Sequence, residues 1–336
     1  MKKSLPVVVI DRAIPFLAEF LAGRAEVVAL AGDAITAADV ADADALVVRT
    51  RTRCDAALLA HSRVRLVVTA TIGFDHIDCA WCREQGIEVV TAAGCNARGV
   101  LQWVAAVLAF DARREGWHPA QRTLGIVGVG HVGSLVKSYA ESWGFRTICC
   151  DPPREAREGL GFVAIEAVMA EADIVTFHTP LDASTHHLCN AERLALTRPT
   201  ALILNSSRGA VVDNRAVWAS GRRHAFDVWE GEPQLDAEVL RDAMLATPHV
   251  AGYTAQGKAN ATMLAARALS AHFGWAWEGW YPPEVTPPCP REVSWEELLA
   301  TMDAHYPIAE ESRLLKAAPS QFEPFRDEYR YRLEYF

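Results

Sequence analysis

The sequence predicts an α/β fold with two lobes, each built on a parallel sheet, followed by a small C-terminal α+β unit. The chain has 336 residues, which exceeds the size at which one hydrophobic core keeps growing. Short β-branched runs alternate with helix-length segments in two series, a rhythm typical of parallel sheets covered by helices. A long apolar segment separates the two series, and a proline-rich stretch follows the second.

The first series lies before residue 96 and predicts a lobe of flavodoxin-like topology. Its strands are expected at 7–10, 45–49, 66–70 and 87–90. Residues 99–116 then predict one long apolar helix that ends before His118-Pro119 and links the two lobes.

The second series predicts a doubly wound sheet with strands at 124–127, 147–150, 174–177, 201–204 and 225–228. Another long helix is expected at 261–278, and the prolines between 282 and 290 cannot continue it. The domains are therefore expected at 1–95 with 255–281, at 96–254 and at 282–336.

The C-terminal unit begins with a helix start signal, because Ser294 and Glu297 form a capping box ahead of an apolar run. It is too small to be stable by itself, and it carries aromatic residues at Phe322, Phe325, Tyr329 and Tyr331. Packing against a second subunit would cover its apolar face, so we expect a homodimer. The alternative is that the segment folds back onto its own chain.

Composition limits the classes of function. A net charge of -9 argues against a nucleic-acid-binding protein, and 51% hydrophobic with 22% charged residues is the balance of an ordinary globular protein. The longest near-apolar segment, 100–110, is too short to cross a bilayer. Lys2 and Lys3 before an apolar run imitate a signal peptide, but Asp11 and Arg12 interrupt that run too early. We expect a cytoplasmic protein without a membrane or nucleic-acid partner.

The eight cysteines are scattered, which is typical of reduced thiols rather than of a disulfide framework. Cys79 and Cys82 form a C-x-x-C, which could be a redox pair or half of a zinc site. No second pair follows, and a spacing of three within a helix-like stretch places two small apolar residues on one face. This spacing favours a packing role for both cysteines, and we expect no bound metal.

A glycine-rich turn follows the strand expected at 124–127. Gly128 permits a tight turn, Gly130 lets the backbone approach a pyrophosphate, and Gly133 allows close packing of helix and strand. His131 and Val132 begin the next helix, whose free N–H groups favour an anion. The motif predicts a Rossmann-like dinucleotide site.

Asp151 ends the next strand, 18 residues after Gly133, near the separation at which an acid meets the ribose hydroxyls of a dinucleotide. A carboxylate there repels a 2'-phosphate, so NAD is the expected cofactor. Arg154 lies close in sequence and leaves NADP as the alternative.

Three later segments carry a candidate catalytic set at or just beyond strand ends. Removing hydride from a 2-hydroxy acid requires a base for the hydroxyl proton and a cation for the carboxylate, roles that suit His249 and Arg208. Glu232 is the candidate carboxylate that orients His249. Glu232 and His249 are 17 residues apart, so only tertiary structure can pair them.

These segments resemble the D-isomer-specific 2-hydroxy-acid dehydrogenases: S-S-R-G-A-V-V-D at 206–213, D-V-W-E-G-E-P at 227–233 and T-P-H-V-A-G-Y at 247–253. D-P-P-R at 151–154, F-H-T-P at 177–180 and G-C-N-A at 94–97 are similar to one branch of that family. The branch oxidises 4-phospho-D-erythronate with NAD in the biosynthesis of pyridoxal 5'-phosphate.

The resemblance implies a role for each matching position. Arg208 and Glu232 would be active-site residues, and His249 the proton donor. NAD would contact Asp151, Thr179, Asp227 and Gly252, and substrate would contact Thr50, Thr71 and Tyr253.

The residues by themselves leave the substrate open. Residues 49–53, R-T-R-T-R, follow a strand and offer hydroxyl and guanidinium groups suited to a phosphate, or form a solvated basic loop. The same catalytic chemistry on phosphoglycerate, glycerate or lactate is one alternative. A non-catalytic NAD-sensing protein on this scaffold is another.

Overall fold

The computed structural model describes residues 5–336, so Lys2 and Lys3 lie outside the described residues. The chain forms two compact units. The first contains the residues up to Asn96 together with Thr254–Pro288, and the second contains Ala97–Tyr253 together with Cys289–Phe336.

The first unit contains a five-stranded parallel sheet in the order β2-β1-β3-β4-β5, which is the flavodoxin-type order. Its strands are β1 (Val7–Asp11), β2 (Glu26–Leu30), β3 (Ala45–Val48), β4 (Leu66–Thr69) and β5 (Glu88–Thr91). Between them lie α1 (Leu17–Leu21), α2 (Ala37–Val40), α3 (Ala56–Leu59) and α4 (Cys79–Glu84).

Successive residues of β1 enter different cores because strand side chains alternate between the two faces of the sheet. Val8 and Ile10 belong to one buried cluster and Val9 to another. Both faces are covered, so the strand is apolar from Val7 to Ile10, as expected for a parallel sheet, and only its last residue, Asp11, is charged. β2 has no counterpart among the predicted strands: it pairs only with β1, at the edge of the sheet, and three of its five residues are exposed.

The second unit contains a six-stranded parallel sheet in the order β11-β10-β9-β8-β6-β7. Its strands are β6 (Thr123–Val127), β7 (Arg146–Cys150), β8 (Ile174–Phe177), β9 (Leu202–Asn205), β10 (Arg223–Phe226) and β11 (Leu245–Ala246). Its helices up to β11 are α5 (Ala97–Glu115), α6 (His131–Ser142), α7 (Pro152–Glu158), α8 (Ile165–Glu171), α9 (Ala191–Leu196), α10 (Asn214–Ala219) and α11 (Ala237–Asp242).

β6 lies between β7 and β8. The chain forms β7 on one side of β6 and then crosses to form β8 on the other side. Such a reversal opens a crevice at the carboxyl ends of the strands, where open α/β sheets bind ligands. The glycine turn after β6 and the segment after β8 both lie at this end. The predicted α/β class is confirmed.

The last helices are α12 (Ala255–Phe273) in the first unit, and α13 (Trp295–His305), α14 (Ile308–Ala317) and α15 (Phe322–Asp327) in the second. Among the described residues, short 3-10 helices occur at Gly32–Ala34, Pro119–Gln121, Gly209–Val211 and Pro319–Gln321. α12 ends earlier than its apolar pattern predicts because Gly274 adopts a left-handed conformation that closes the helix.

The C-terminal segment differs from the α+β unit we expected. Within its described residues it has helices and no strand of the sheets, and α13 and α14 pack against α5 and β11 of the second unit. The Ser294 half of the expected capping box is present: the Ser294 hydroxyl accepts a hydrogen bond from the N–H of Glu297, and the Glu297 carboxylate accepts one from Arg291. Leu298, Met302 and Tyr306 are buried at helical spacing, so the period of the segment is that of a helix.

No helix within residues 5–336 combines the length and the hydrophobicity needed to cross a membrane.

Candidate functional site

The glycine turn after β6 requires glycine at two positions. Gly128 has φ +85, and a Cβ there would lie 2.8 Å from the carbonyl oxygen of His178. A Cβ on Gly133 would lie 2.0 Å from the carbonyl oxygen of Gly128. At Gly130, by contrast, a Cβ would meet no atom within 4 Å, so the backbone there is open to an approaching group. This is the arrangement a pyrophosphate requires.

The surroundings of the turn suit a bound dinucleotide. Helix α6 begins at His131, followed by Val132, and no side chain caps its N terminus. The hydroxyls of Thr179 and Ser206, beyond β8 and β9, are buried and have no hydrogen-bond partner among the described residues. Buried hydroxyls normally have a partner, and polar groups of a nucleotide would provide one. The sequence predicted Thr179 but not Ser206.

Asp151 lies at the end of β7, beside the glycine turn. Its Oδ2 accepts a hydrogen bond from the N–H of Val129 at 2.7 Å, and its Oδ1 accepts one from the N–H of Arg154 at 2.9 Å. These bonds fix the carboxylate in place. Each oxygen keeps a further lone pair, so the carboxylate can also accept hydrogen bonds from ribose hydroxyls.

Asp227 is a buried carboxylate that anchors the segment 247–251. Its Oδ1 accepts hydrogen bonds from the hydroxyl of Thr247 at 2.6 Å and the N–H of Val250 at 2.8 Å. Its Oδ2 accepts one from the N–H of Ala251 at 3.0 Å. Asp227 therefore holds in place the segment that carries His249 and Gly252. The sequence did not predict this structural role.

His249 and Glu232 are brought together as predicted. His249 Nδ1 lies 2.8 Å from Glu232 Oε2, and Glu232 Oε1 accepts a hydrogen bond from the N–H of Trp229 at 2.8 Å. An ionised carboxylate accepts hydrogen bonds only, so Nδ1 carries the proton and Nε2 is the basic nitrogen in the neutral ring. His249 also has φ 59, a left-handed conformation that is uncommon outside glycine and clusters at active sites.

The environment of Glu232 keeps it ionised. Burial favours the neutral acid, but the charge and hydrogen bond of His249, the N–H of Trp229 and the charge of Arg326 outweigh it. The pKa of Glu232 is consequently lower than that of an ordinary glutamate. A carboxylate that stays negative stabilises a positive charge on His249.

Arg208 follows β9, and its segment lies against the segment 227–233, which carries Glu232. A Cβ on Gly209 would lie 2.0 Å from the carbonyl oxygen of Trp229, so only glycine permits this approach. Arg208 Nη1 donates a hydrogen bond to the carbonyl of Ser207 at 2.8 Å. Gly209 was not among the predicted residues, although its place directly after Arg208 in the S-S-R-G motif was a usable signal.

A second histidine and glutamate pair lies in the same unit. His187 Nε2 is 2.6 Å from Glu230 Oε1, and His187 has φ 48. The other oxygen of Glu230 accepts a hydrogen bond from the N–H of Asn214 at 2.9 Å. Like His249 and Glu232, this pair joins a histidine of positive φ to a glutamate. His187 is therefore a matched control for substitutions of His249.

The C-terminal residues of the second unit cover the segment after His249. The ring of Tyr253 contacts Tyr329 and Tyr331 at centroid distances of 5.9 and 6.1 Å. Arg332 is buried, and its Nη2 donates a hydrogen bond to the carbonyl of Ala251 at 2.7 Å. Nothing in the sequence pattern indicated that Arg332 supports this segment.

Thr50 and Thr71 belong to the first unit and follow the neighbouring strands β3 and β4. Thr50 is exposed. The Thr71 hydroxyl lies 2.6 Å from the Thr69 hydroxyl and donates a hydrogen bond to the carbonyl of Gly73 at 3.1 Å. The carboxyl ends of adjacent parallel strands lie at one edge of a sheet, so the two threonines are on the same side of this unit.

Two arginines of the R-T-R-T-R segment already have acidic partners. Arg49 Nε is 2.8 Å from the buried carboxylate of Asp11, and Arg53 Nε is 2.7 Å from Asp55. Their charges are therefore partly balanced, which makes them weaker phosphate ligands than the sequence suggests.

Cys79 and Cys82 lie in α4, and burial raises the pKa of both thiols. Thiols of raised pKa are poor nucleophiles. Across residues 5–336, no group of three or more histidine, cysteine, aspartate or glutamate side chains is placed to hold a metal ion.

Known proteins share this architecture. Residues 97–251 match the family described as D-isomer specific 2-hydroxyacid dehydrogenase, NAD binding domain. A solved NAD⁺-bound 3-phosphoglycerate dehydrogenase from Entamoeba histolytica is 25% identical, with a TM-score of 0.69 over 81% of this chain and 96% of that one. A D-lactate dehydrogenase from Aquifex aeolicus, solved with NAD and lactic acid, shares the fold at 22% identity and a TM-score of 0.67, over 80% of this chain and 95% of that one.

The fold and the site together are those of an NAD-dependent D-2-hydroxyacid dehydrogenase. Erythronate-4-phosphate dehydrogenase from Bacteroides fragilis is 40% identical over 97% of both chains. That from Ectopseudomonas mendocina is 47% identical over 76% of this chain and 69% of its own. The chain belongs to the erythronate-4-phosphate dehydrogenase family. The predictions of the family, of an oxidoreductase and of NAD as cofactor are confirmed.

Proposed function

We propose that the chain oxidises 4-phospho-D-erythronate to 2-oxo-3-hydroxy-4-phosphobutanoate with NAD, a step of pyridoxal 5'-phosphate biosynthesis. The observation that carries the chemistry is the 2.8 Å contact between His249 Nδ1 and Glu232 Oε2, which leaves Nε2 as the base. The name shared by relatives at 40–47% identity supports the substrate.

In the proposed reaction His249 Nε2 accepts the proton of the C2 hydroxyl. The imidazole becomes a cation as the proton arrives, and the ionised Glu232 stabilises that cation through Nδ1. The bound NAD supplies the acceptor for the C2 hydride. In the reverse direction His249 is the proton donor, so one residue serves both directions.

Arg208 is the proposed ligand of the substrate carboxylate. A guanidinium binds a carboxylate through two parallel hydrogen bonds, which fixes the orientation of the neighbouring C2. Its positive charge also stabilises the negative charge that develops on the C2 oxygen. The close approach of Gly209 to Trp229 sets the backbone of Arg208 against the loop that ends at Glu232.

The remaining roles follow the family pattern. We assign the dinucleotide to Gly128, Gly130, His131, Val132, Gly133, Asp151, Thr179, Asp227 and Gly252. We assign the substrate to Thr50, Thr71 and Tyr253. For Asp227 the hydrogen bonds to Thr247, Val250 and Ala251 favour an indirect contribution, through the segment that precedes Gly252.

A panel of acids tests the substrate. With NAD, we expect kcat/KM for 4-phospho-D-erythronate to exceed that for 3-phospho-D-glycerate by about 10-fold or more, because the two acids differ by one CHOH group, whose loss costs at least as much as the loss of a methylene. D-Glycerate and D-lactate, which lack the phosphate, should be poorer still. The nicotinamide absorbance reports each rate, and mass spectrometry identifies each product.

Two results would contradict the substrate proposal. A higher kcat/KM for phosphoglycerate, glycerate or lactate would assign the chain to another acid. Tight NAD binding without turnover of any 2-hydroxy or 2-keto acid would instead favour an NAD-sensing protein.

We further propose that the enzyme is a cytoplasmic homodimer. The support for assembly is the exposure of Leu314, Tyr331 and Leu333 on the C-terminal segment, with Leu333 67% exposed. The support for the compartment is the free state of all eight cysteines. A monomer mass in sedimentation equilibrium would exclude the dimer, and recovery from a non-cytoplasmic fraction would exclude the compartment.

A further inference from the structure

Arg154 lies beside the glycine turn with its guanidinium held on two sides. Nε and Nη2 donate hydrogen bonds to Glu158 Oε1 and Oε2 at 2.8 and 2.7 Å. Nη1 donates to the carbonyl of Val129 at 2.6 Å and to the hydroxyl of Ser134 at 3.2 Å. The guanidinium is therefore fixed by a carboxylate on α7 and by the turn itself.

This position matters because Asp151 and Arg154 contact the same residue of the turn. Asp151 accepts a hydrogen bond from the N–H of Val129, and Arg154 donates one to the carbonyl of Val129. In Rossmann folds an acid at the Asp151 position meets the ribose 2'-hydroxyl of NAD, whereas a nearby arginine accommodates the 2'-phosphate of NADP. Arg154 has the charge and the location for that second role.

Glu158 counteracts that role in two ways. Its carboxylate takes both N–H groups of one edge of the guanidinium in a bidentate pair, the strongest geometry for an arginine. It also adds a negative charge beside Arg154, and the hydrogen bond from Arg154 lowers the pKa of Glu158, so this charge persists near neutral pH.

We propose that Glu158 is a specificity-determining residue that makes the chain select NAD over NADP by occupying Arg154. The proposal rests on the nucleotide site proposed above. Releasing Arg154 would give the 2'-phosphate a cationic partner, while Asp151 would still bind the ribose of NAD.

The test measures dissociation constants of both nucleotides. The full chain, freed of bound nucleotide, is titrated with NAD and with NADP at one fixed ionic strength, and isothermal titration calorimetry reports binding without turnover. We expect Glu158→Ala to tighten NADP binding about tenfold, the effect of one hydrogen bond to a charged group, and to change NAD binding less than twofold. The double variant Arg154→Ala/Glu158→Ala should lose the gain in NADP affinity.

A matched control separates this effect from a change in net charge. Glu310 and Arg313 form a similar bidentate pair on α14, with distances of 2.8 and 2.6 Å. Glu310→Ala removes the same charge and should leave both dissociation constants unchanged. Thermal melting of each variant verifies that it is folded.

The possible outcomes are distinct. An unchanged NADP constant in folded Glu158→Ala, or an equal gain in the double variant or in Glu310→Ala, would overturn the role of Glu158. Failure of the parent chain to bind NAD would instead overturn the proposed nucleotide site.

Discussion

Replacing His249 with asparagine is expected to lower kcat for 4-phospho-D-erythronate by about 10³- to 10⁴-fold, because the variant has no base at the Nε2 position. Asparagine is the suitable replacement, since His249 has φ 59 and asparagine tolerates the left-handed conformation better than alanine does. The dissociation constant for NAD should stay within about threefold, because the expected nucleotide contacts lie elsewhere. Single-turnover kinetics isolate the loss in the hydride-transfer step.

His187→Asn is the matched control for this prediction. His187 also has a positive φ and a glutamate partner, at 2.6 Å from Glu230. The control should therefore share any effect on local structure but retain kcat. Similar losses in the two variants would show that the histidines act through structure, and full activity in His249→Asn would remove His249 from the chemistry.

Replacing Arg332 with alanine is expected to lower the free energy of unfolding by about 3 kcal/mol, the cost typical of breaking a buried charge network. The guanidinium lies 3.7 Å from the centre of the Tyr306 ring and donates hydrogen bonds to the carbonyls of Val250 and Ala251. Its removal leaves the buried carboxyl of Glu311 without the nearby positive charge that favours its ionised form. Urea denaturation followed by tryptophan fluorescence measures the difference.

Arg332→Lys should recover part of this loss, because lysine keeps the charge but not the planar group that stacks on Tyr306. Arg330→Ala is the control, since Arg330 lies two residues earlier and is exposed. Ordinary surface substitutions change the free energy of unfolding by less than about 0.5 kcal/mol. A change that small in Arg332→Ala would show that the C-terminal segment does not support the residues after His249.

The features predicted best from sequence are those with a local period or a fixed spacing. The strand at 174–177 was predicted with the bounds that the structure gives, and the glycine turn lies directly after β6. Buried parallel strands are continuous apolar runs, and glycine is required at 133 by a contact with Gly128, which lies in the same turn. The pairing of Glu232 with His249 was also predicted, from the proton chemistry that requires a carboxylate beside the base.

The features that were missed depend on tertiary contacts without a local pattern. Gly209 is required because the carbonyl of Trp229 approaches it, and Arg332 is buried because α13 and α14 fold back onto the second unit. Asp227 was assigned to NAD, but in the folded chain its carboxylate accepts hydrogen bonds from Thr247 and Val250. In each case the partner lies more than 15 residues away, so no spacing rule could identify it.

The most direct measurement is the transfer of a labelled hydrogen. The chain with bound NAD is mixed with 4-phospho-D-erythronate carrying deuterium at C2, and the nicotinamide is analysed by mass spectrometry after one turnover. We predict that reduced nicotinamide gains one deuterium while 2-oxo-3-hydroxy-4-phosphobutanoate forms in equal amount, and that His249→Asn forms almost none of either. Reduced nicotinamide without deuterium, or no reduction by the parent chain, would contradict hydride transfer from C2 of this acid.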